Sequence, residues 1–461
     1  MSRRKVLGVG AGVVSGLGLA ACGVSKSSGS TSAGGPDVRS IAADAYLYGY
    51  SLVLADVTRA TSPINQLVRN GSPNDARSRT IVSPQVDTLF ALGWLDLRPE
   101  PMVIQMPEVD GKRYWLTQVV DAWMNTIHHP SSVHPGVASG QAAPPYTYAL
   151  TGPGWSGTLP NEVTQLALPT GTAFLANRIE YHGAADLDRA RALQAQVKLV
   201  PLRAWLADPH AAGVNGAPTG ASVPPLKQVE AMDGRTYFGR MTALMAANPG
   251  PAADADALAR FASIGIAAGA GVDTLDSGVL DAAVRDGQNR IAGYTNPRAR
   301  TEHGWSVAPN LGAYGTDYAL RANTAKVLFG ASLPQDTLYP FLDHLDAGAN
   351  GAPRRYRIRF EPGQLPPVDA FWSISAYDPD HYFIANPANR FAVGHQIPVV
   401  PGPDGAVEIV LQNARPGPGV PDGNWLPIPA SGTFSLAMRL YAPRDAAVTG
   451  AWQPPPLTPA P

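Results

Sequence analysis

The sequence has a single cysteine, Cys22. No disulfide can form within the chain, and a structural zinc site built on thiolates is excluded. Charge of either sign in excess is also missing: 35 Lys and Arg stand against 36 Asp and Glu, for a formal net charge of -1. That balance lacks the basic face a nucleic-acid partner normally needs. Beyond residue 21 no run is long and apolar enough to span a bilayer. There is no Walker loop, no His-Glu-x-x-His, no dinucleotide fingerprint and no short-period repeat, so no cofactor is indicated.

What is present begins at the N-terminus. Met1-Ser2-Arg3-Arg4-Lys5 is positively charged, and an apolar stretch rich in Gly, Ala, Val and Leu follows from Val6 to Ala21. A charged start, a short apolar core and small residues at its end predict a signal peptide over 1–21. Leu19-Ala20-Ala21-Cys22 matches the bacterial lipobox. The expectation is diacylglycerol on the Cys22 thiol and cleavage just before it. The chain would then be lipid-anchored to the cell membrane on its extracytoplasmic side. Arg3 and Arg4 resemble a twin-arginine signal; the alternative is a general secretory signal in which both are bulk positive charge. The Ser- and Gly-rich stretch 22–36 reads as a flexible tether.

The remaining chain is long enough for two or three packed units. Its 47 glycines and 45 prolines suit many turns between short strands. Ile41, Ala45, Tyr48, Leu52 and Ala55 recur at helical spacing and predict a helix over 37–60. From Arg79 to Tyr181 short apolar runs alternate with turn signals. Glu108-Val109-Asp110-Gly111-Lys112 reads as a hairpin between the runs at 102–106 and 114–120. A helical layer of about four helices follows over 186–294, then a helix over 315–329 and strands from 339 to 441. Strands segregated from helices predict an α+β fold. The expected architecture is two antiparallel β-sandwich, jelly-roll-like domains with a helical layer inserted between them in sequence. The boundaries are 37–182 for helix plus sandwich, 183–308 for the helical region, 309–445 for helix plus second sandwich and 446–461 for a Pro-rich tail.

Several stretches resemble known families. Tyr46-Leu47-Tyr48-Gly49-Tyr50, Ser83-Pro84-Gln85-Val86-Asp87-Thr88-Leu89-Phe90, Gly93-Trp94-Leu95-Asp96-Leu97 and Asp121-Ala122-Trp123-Met124-Asn125 resemble the bacterial domain-of-unknown-function family 1254. Tyr314-Gly315-Thr316-Asp317-Tyr318, Leu365-Pro366-Pro367-Val368-Asp369-Ala370-Phe371-Trp372-Ser373, Tyr377-Asp378 and Asn424-Trp425-Leu426-Pro427-Ile428-Pro429 resemble family 1214. The resemblance implies paired jelly-roll-like domains and no agreed reaction. One departure is Gln85, where family 1254 usually has Asn.

Two polar and aromatic sets stand out. The first is Gln85, Asp87, Asp121, Trp123 and Asn125. Carboxylates among aromatics suit general acid and base work or the orientation of a sugar-like ligand; equally, Asp and Asn cap turns and Trp fills cores. The second is Asp317, Tyr318, Arg321, Trp372, Tyr377, Asp378 and Arg390. It suits a carboxylate or phosphate, or one salt-bridge network between domains. His128, His129 and His134 cluster loosely at a spacing that matches no metal motif. Gly154-Trp155-Ser156-Gly157 lacks the full nucleophile-elbow pattern. Three functions follow: an envelope lipoprotein binding a small or sugar-like ligand in an interdomain cleft, an envelope hydrolase using Asp87 and Asp121, or an assembly lipoprotein.

Overall fold

The leading helix, Val38–Arg59, is buried on nearly every side. Its sequence explains this. Apolar residues run all the way round it from Ile41 to Val57, and such a helix belongs inside a core. Tyr237, Phe238 and Met241 of helix Gly234–Ala247 pack against it, with Leu280 and Ala283 of helix Ser277–Ala292 and Ala322 and Ala325 of helix Tyr318–Val327. Each fully buried large side chain there contributes roughly 1.5–3 kcal/mol. Gly49 and Gly287 permit close approach: a Cβ at Gly49 would lie 2.1 Å from Met241 Sδ, and one at Gly287 2.3 Å from the Tyr46 ring.

The computed structural model describes residues 37–79, 82–137, 143–220, 222–349 and 351–460. Signal, lipobox and tether, and with them Arg3, Arg4 and Cys22, lie outside the described residues. Residues 38–461 form one compact unit. Among the described residues about 26% are helix and 27% strand, in several sheets of which none closes. With strands and helices segregated, the fold is α+β.

The first β block holds two sheets. One runs Asn215–Gly216, Leu67–Arg69, Thr88–Asp96, Thr172–Glu180, Trp115–Asp121, Thr126–His128 in spatial order. The other runs Thr164–Ala167, Tyr146–Thr151, Met102–Met106, Lys198–Pro201. They share a core: Leu95, Trp115, Val119 and Leu175 from the first with Ile104, Met106, Tyr148 and Leu150 from the second.

The expected hairpin at Glu108–Lys112 is not formed. Met102–Met106 pairs with Tyr146–Thr151 and Lys198–Pro201, whereas Trp115–Asp121 pairs with Thr172–Glu180 and Thr126–His128. The turn crosses between sheets instead. The burial of the strands gives the reason. Trp115–Asp121 is buried throughout, and Met102–Met106 at all but Gln105. A hairpin with one wet face would alternate.

The second block repeats the plan. Arg300–Glu302, Trp305–Val307, Phe341–Ala349, Gly432–Tyr441, Trp372–Tyr377 and Ala392–Val393 run through the larger sheet, with Thr337–Leu338 added on Gly432–Tyr441 and Ala352–Pro353 on Phe341–Ala349, and Trp425–Leu426, Val407–Leu411, Arg355–Phe360 and Leu457–Ala460 make the smaller. Ile374, Leu436 and Met438 of the first meet Ile358, Ile409 and Leu411 of the second. The Pro-rich tail supplies that last edge strand, pairing Leu457 with Ile358 and Pro459 with Tyr356. An edge is where a sheet tolerates proline.

Candidate functional site

The structure re-sorts the two predicted sets. Part of each joins part of the other, so that two buried polar clusters form, each linking segments far apart in sequence.

The first cluster lies in the helical core. Asp121 ends a strand, and its Oδ1 accepts from the backbone N–H groups of Trp123 at 2.9 Å and Asn125 at 2.8 Å. Its Oδ2 accepts from Asn125 Nδ2 at 3.1 Å. Burial pushes this carboxyl up, against those backbone donors. Asn125 Oδ1 in turn accepts from Tyr314 N–H. Trp123 is fully buried, donates from Nε1 to Pro249 O at 3.3 Å and sits 4.7 Å from the Tyr48 ring.

Asp317 is the N-cap of helix Tyr318–Val327: its Oδ1 accepts from Leu320 N–H at 2.9 Å. That cap is why the helix begins at Tyr318 rather than at Gly315. Tyr318 donates to Asp254 Oδ1 at 2.8 Å. Arg321 is buried among three rings, 5.2 Å from Tyr48, 5.1 Å from Trp123 and 5.2 Å from Tyr318. Its Nη2 donates to Tyr48 O at 2.8 Å, and the charges of Asp121 and Asp254 act on it. Its Nε and Nη1 have no hydrogen-bond partner, and burial holds the guanidinium below its usual value against the pull of those carboxylates and ring faces.

The second cluster joins the two β blocks. Gln85 Oε1 accepts from the backbone N–H groups of Asp87 and Thr88, and its Nε2 donates to Thr88 Oγ1 at 2.7 Å. The longer amide at this position thus folds back to cap its own turn. Asp87 is fully buried, and its Oδ2 accepts from Ser373 Oγ at 2.7 Å across 286 residues of chain. Its Oδ1 makes no full hydrogen bond, although the Tyr441 hydroxyl acts on the carboxyl as a further donor. Burial pushes Asp87 up to about 6, opposed by Ser373 and by the charge of Arg439. Arg439 donates to the Tyr377 hydroxyl at 2.6 Å and to Ser83 O at 2.7 Å, and Tyr377 donates to Pro84 O at 2.7 Å.

Three predicted residues join neither cluster. Trp372 is core, 5.3 Å from Phe360. Asp378 caps its own turn through the N–H groups of Asp380 and Tyr382 and pairs with Arg79 at 3.2 Å. Arg390 pairs with Asp422 at 2.5 Å, donates to Trp425 O at 3.1 Å and lies over the Trp425 ring.

Arg390 does reach a cleft of about 590 Å³ between the blocks. Asn74, Asp75, Arg77, Val86 and Tyr181 line it from the first block, and Ala385, Asn386, Asn389, Arg390, Phe391 and Gln396 from the second. The fixed charges are already matched, Arg77 with Asp75 and Arg390 with Asp422. Gln396 ties the walls together, its Nε2 donating to Tyr181 O at 2.9 Å and to Asp87 O at 3.3 Å.

The loose histidine cluster separates. His128 bonds Ala167 O at 2.7 Å, and His129 bonds Asp336 Oδ1 at 2.9 Å, which holds its imidazole above the usual range. Among the described residues no group of three His, Cys, Asp or Glu side chains stands ready as a metal site. Residues 64–201 match the family model Protein of unknown function (DUF1254), and residues 336–445 match Protein of unknown function (DUF1214).

The matches to the two family models stand in tandem along the chain.

The DUF1254 match ends at Pro201, which closes the second sheet of the first block. Asp87 lies in the segment that matches DUF1254, and Ser373, Tyr377 and Arg439 in the segment that matches DUF1214, so the second cluster joins the two matched segments. No curated protein matches the chain. The crystal structure of the VPA0106 protein from Vibrio parahaemolyticus is similar at 22% identity with a TM-score of 0.67, over 92% of this chain and all of that one. That likeness supports the fold. A putative uncharacterized protein from Burkholderia cenocepacia aligns at 14% identity and a TM-score of 0.43, over 92% of this chain and 94% of that one. Among the described residues no helix is long and apolar enough to cross a membrane.

Sequence reasoning missed Arg439 and Gln396, and with them the residues that lock the blocks together. Arg439 carries the one available signal, a charge inside the apolar run Phe434 to Leu440. Gln396 carries none.

Proposed function

We propose that this protein is a lipid-anchored envelope protein that binds a small, neutral, hydroxyl-rich ligand in the cleft between its two β blocks, each read as a sandwich. The cleft carries this reading. It is of ligand size, and amides and the rings of Tyr181 and Phe391 line it. Because its charges are already paired, an ionic ligand finds no free partner, whereas a sugar-like molecule finds the ring faces of Tyr181 and Phe391 and the side chain of Asn389. The lipobox at Cys22 supplies the anchor. Replacing Cys22→Ser should release the chain from the membrane fraction, and retention of that variant on the membrane would end the anchor reading.

The hydrolase reading draws less support. Asp121 is saturated by backbone donors, and Asp87 is sealed between the blocks. Neither carboxyl lines the cleft.

A screen of melting temperature against sugars, cell-wall fragments and small organic acids tests the proposal, since a ligand of the native state must raise it. Ala385→Trp, at an exposed position of the cleft wall, should abolish the shift and leave the unliganded melting temperature unchanged.

A further inference from the structure

Beside the cleft, where Tyr181 and Gln396 form its wall, two histidines meet one carboxylate. His182 Nε2 lies 3.0 Å from Glu180 Oε1, and His395 Nε2 lies 3.4 Å from the same oxygen. The two ring centres are 5.8 Å apart, at 73° to each other. Glu180 closes a strand of the first block. His182 follows it by two residues, at strand spacing, while His395 comes from the second block. Gly394, at φ 108°, shapes the turn before His395, and a Cβ there would meet the Trp372 ring at 2.7 Å.

Each of the three groups is already oriented by a further partner. Glu180 Oε2 accepts from Tyr114 N–H at 2.6 Å. His182 Nδ1 faces Asp186 Oδ2 at 3.8 Å, and Arg113 grips Asp186 through both guanidinium nitrogens, at 2.6 and 2.9 Å. The His395 ring bonds the Tyr181 carbonyl and stacks 3.9 Å from Phe371. That leaves its Nε2, buried, aimed at Glu180 and without a hydrogen-bond partner.

We propose that Glu180, His182 and His395 bind one divalent first-row transition ion, zinc first among them. Two imidazoles and one carboxylate are a common ligand set for such ions, with further positions left to water. Donors held by a carbonyl, a carboxylate and a backbone N–H are what such sites use to fix their ligands. As placed, the carboxylate itself fills the space between the imidazoles, so the three donors are not yet arranged around one centre. The cation would take over that bridging place, and His182, about half exposed, has the freedom to swing onto it. The site is independent of the cleft reading.

Calorimetry of the metal-free protein with zinc chloride tests this, with cobalt chloride as an optical probe of coordination. The expected result is one zinc per chain, a raised melting temperature and cobalt d–d absorption. His182→Ala, at an exposed position, should leave the metal-free melting temperature unchanged and abolish all three. Asp186→Asn, which acts on His182 and also loosens the grip of Arg113, should weaken zinc by ~10–100-fold. Absence of stoichiometric zinc binding by the wild type, or equal binding by His182→Ala, would overturn the proposal.

Discussion

The two buried polar clusters are built from the same residue types and differ in which charge is left short of partners, the cation in one and the carboxylate in the other. Around Arg321 the carboxylate is filled and the cation is not: Asp121 takes backbone N–H groups, while Arg321 Nε and Nη1 and Asp254 Oδ2 lack hydrogen-bond partners and the cation rests against three ring faces. Around Asp87 the accounting is incomplete. One oxygen takes Ser373, the other lacks a full hydrogen bond, and burial pushes the carboxyl up to about 6. The first cluster lies within the helical core and the second on the seam between the two matched segments. A guanidinium held among ring faces keeps its charge across the ordinary pH range, whereas a partly satisfied carboxyl at a seam makes the joint responsive to pH.

Removing the cation breaks the comparison hardest. Arg321→Met leaves Asp121 and Asp254 buried without their counter-charge, and stability should fall by about 3–5 kcal/mol in denaturant unfolding. A loss below about 1 kcal/mol would show that the cluster is not held by charge.

Asp87→Asn sharpens the contrast by a smaller amount. The folded pKa of Asp87 is raised to about 6, while the unfolded carboxyl titrates near its ordinary value of about 4. Between those values the folded state keeps a proton that the unfolded state has released. The stabilisation is therefore fully present below pH about 4 and is lost as pH rises to about 6, on the order of 3 kcal/mol in all. The unfolding free energy of wild type minus that of Asp87→Asn should fall by about this amount between pH 4 and 7. A flat difference would mean that Asp87 titrates normally.

The sequence carried the elements more clearly than their partners. Helical spacing placed the leading helix within a residue or two at each end, because a helix is a local object. Gln85, Asp87, Asp121 and Arg321 were visible as polar residues in apolar surroundings, and all four are buried. Their sorting was not visible. Asp87 meets Ser373 and Arg321 meets Tyr48 only after distant segments have packed. The misread turn at Glu108–Lys112 has the same origin. Two neighbouring strands looked like a pair because nothing local says that each is buried by a different sheet. Glu180-Tyr181-His182 offered a pattern, two ligand-type residues on one side of a strand end, yet His395 lies 213 residues further on.

If the cleft is the working site and the buried clusters serve the scaffold, the effects of ligand should follow the cleft alone. The decisive measurement is the ligand-induced rise in melting temperature for wild type, Ala385→Trp and Asp87→Asn, side by side with the compound that stabilises wild type most. The account predicts that Ala385→Trp loses the shift and Asp87→Asn keeps it. A shift that survives in Ala385→Trp but disappears in a folded Asp87→Asn would contradict it and return the function to the buried carboxylate.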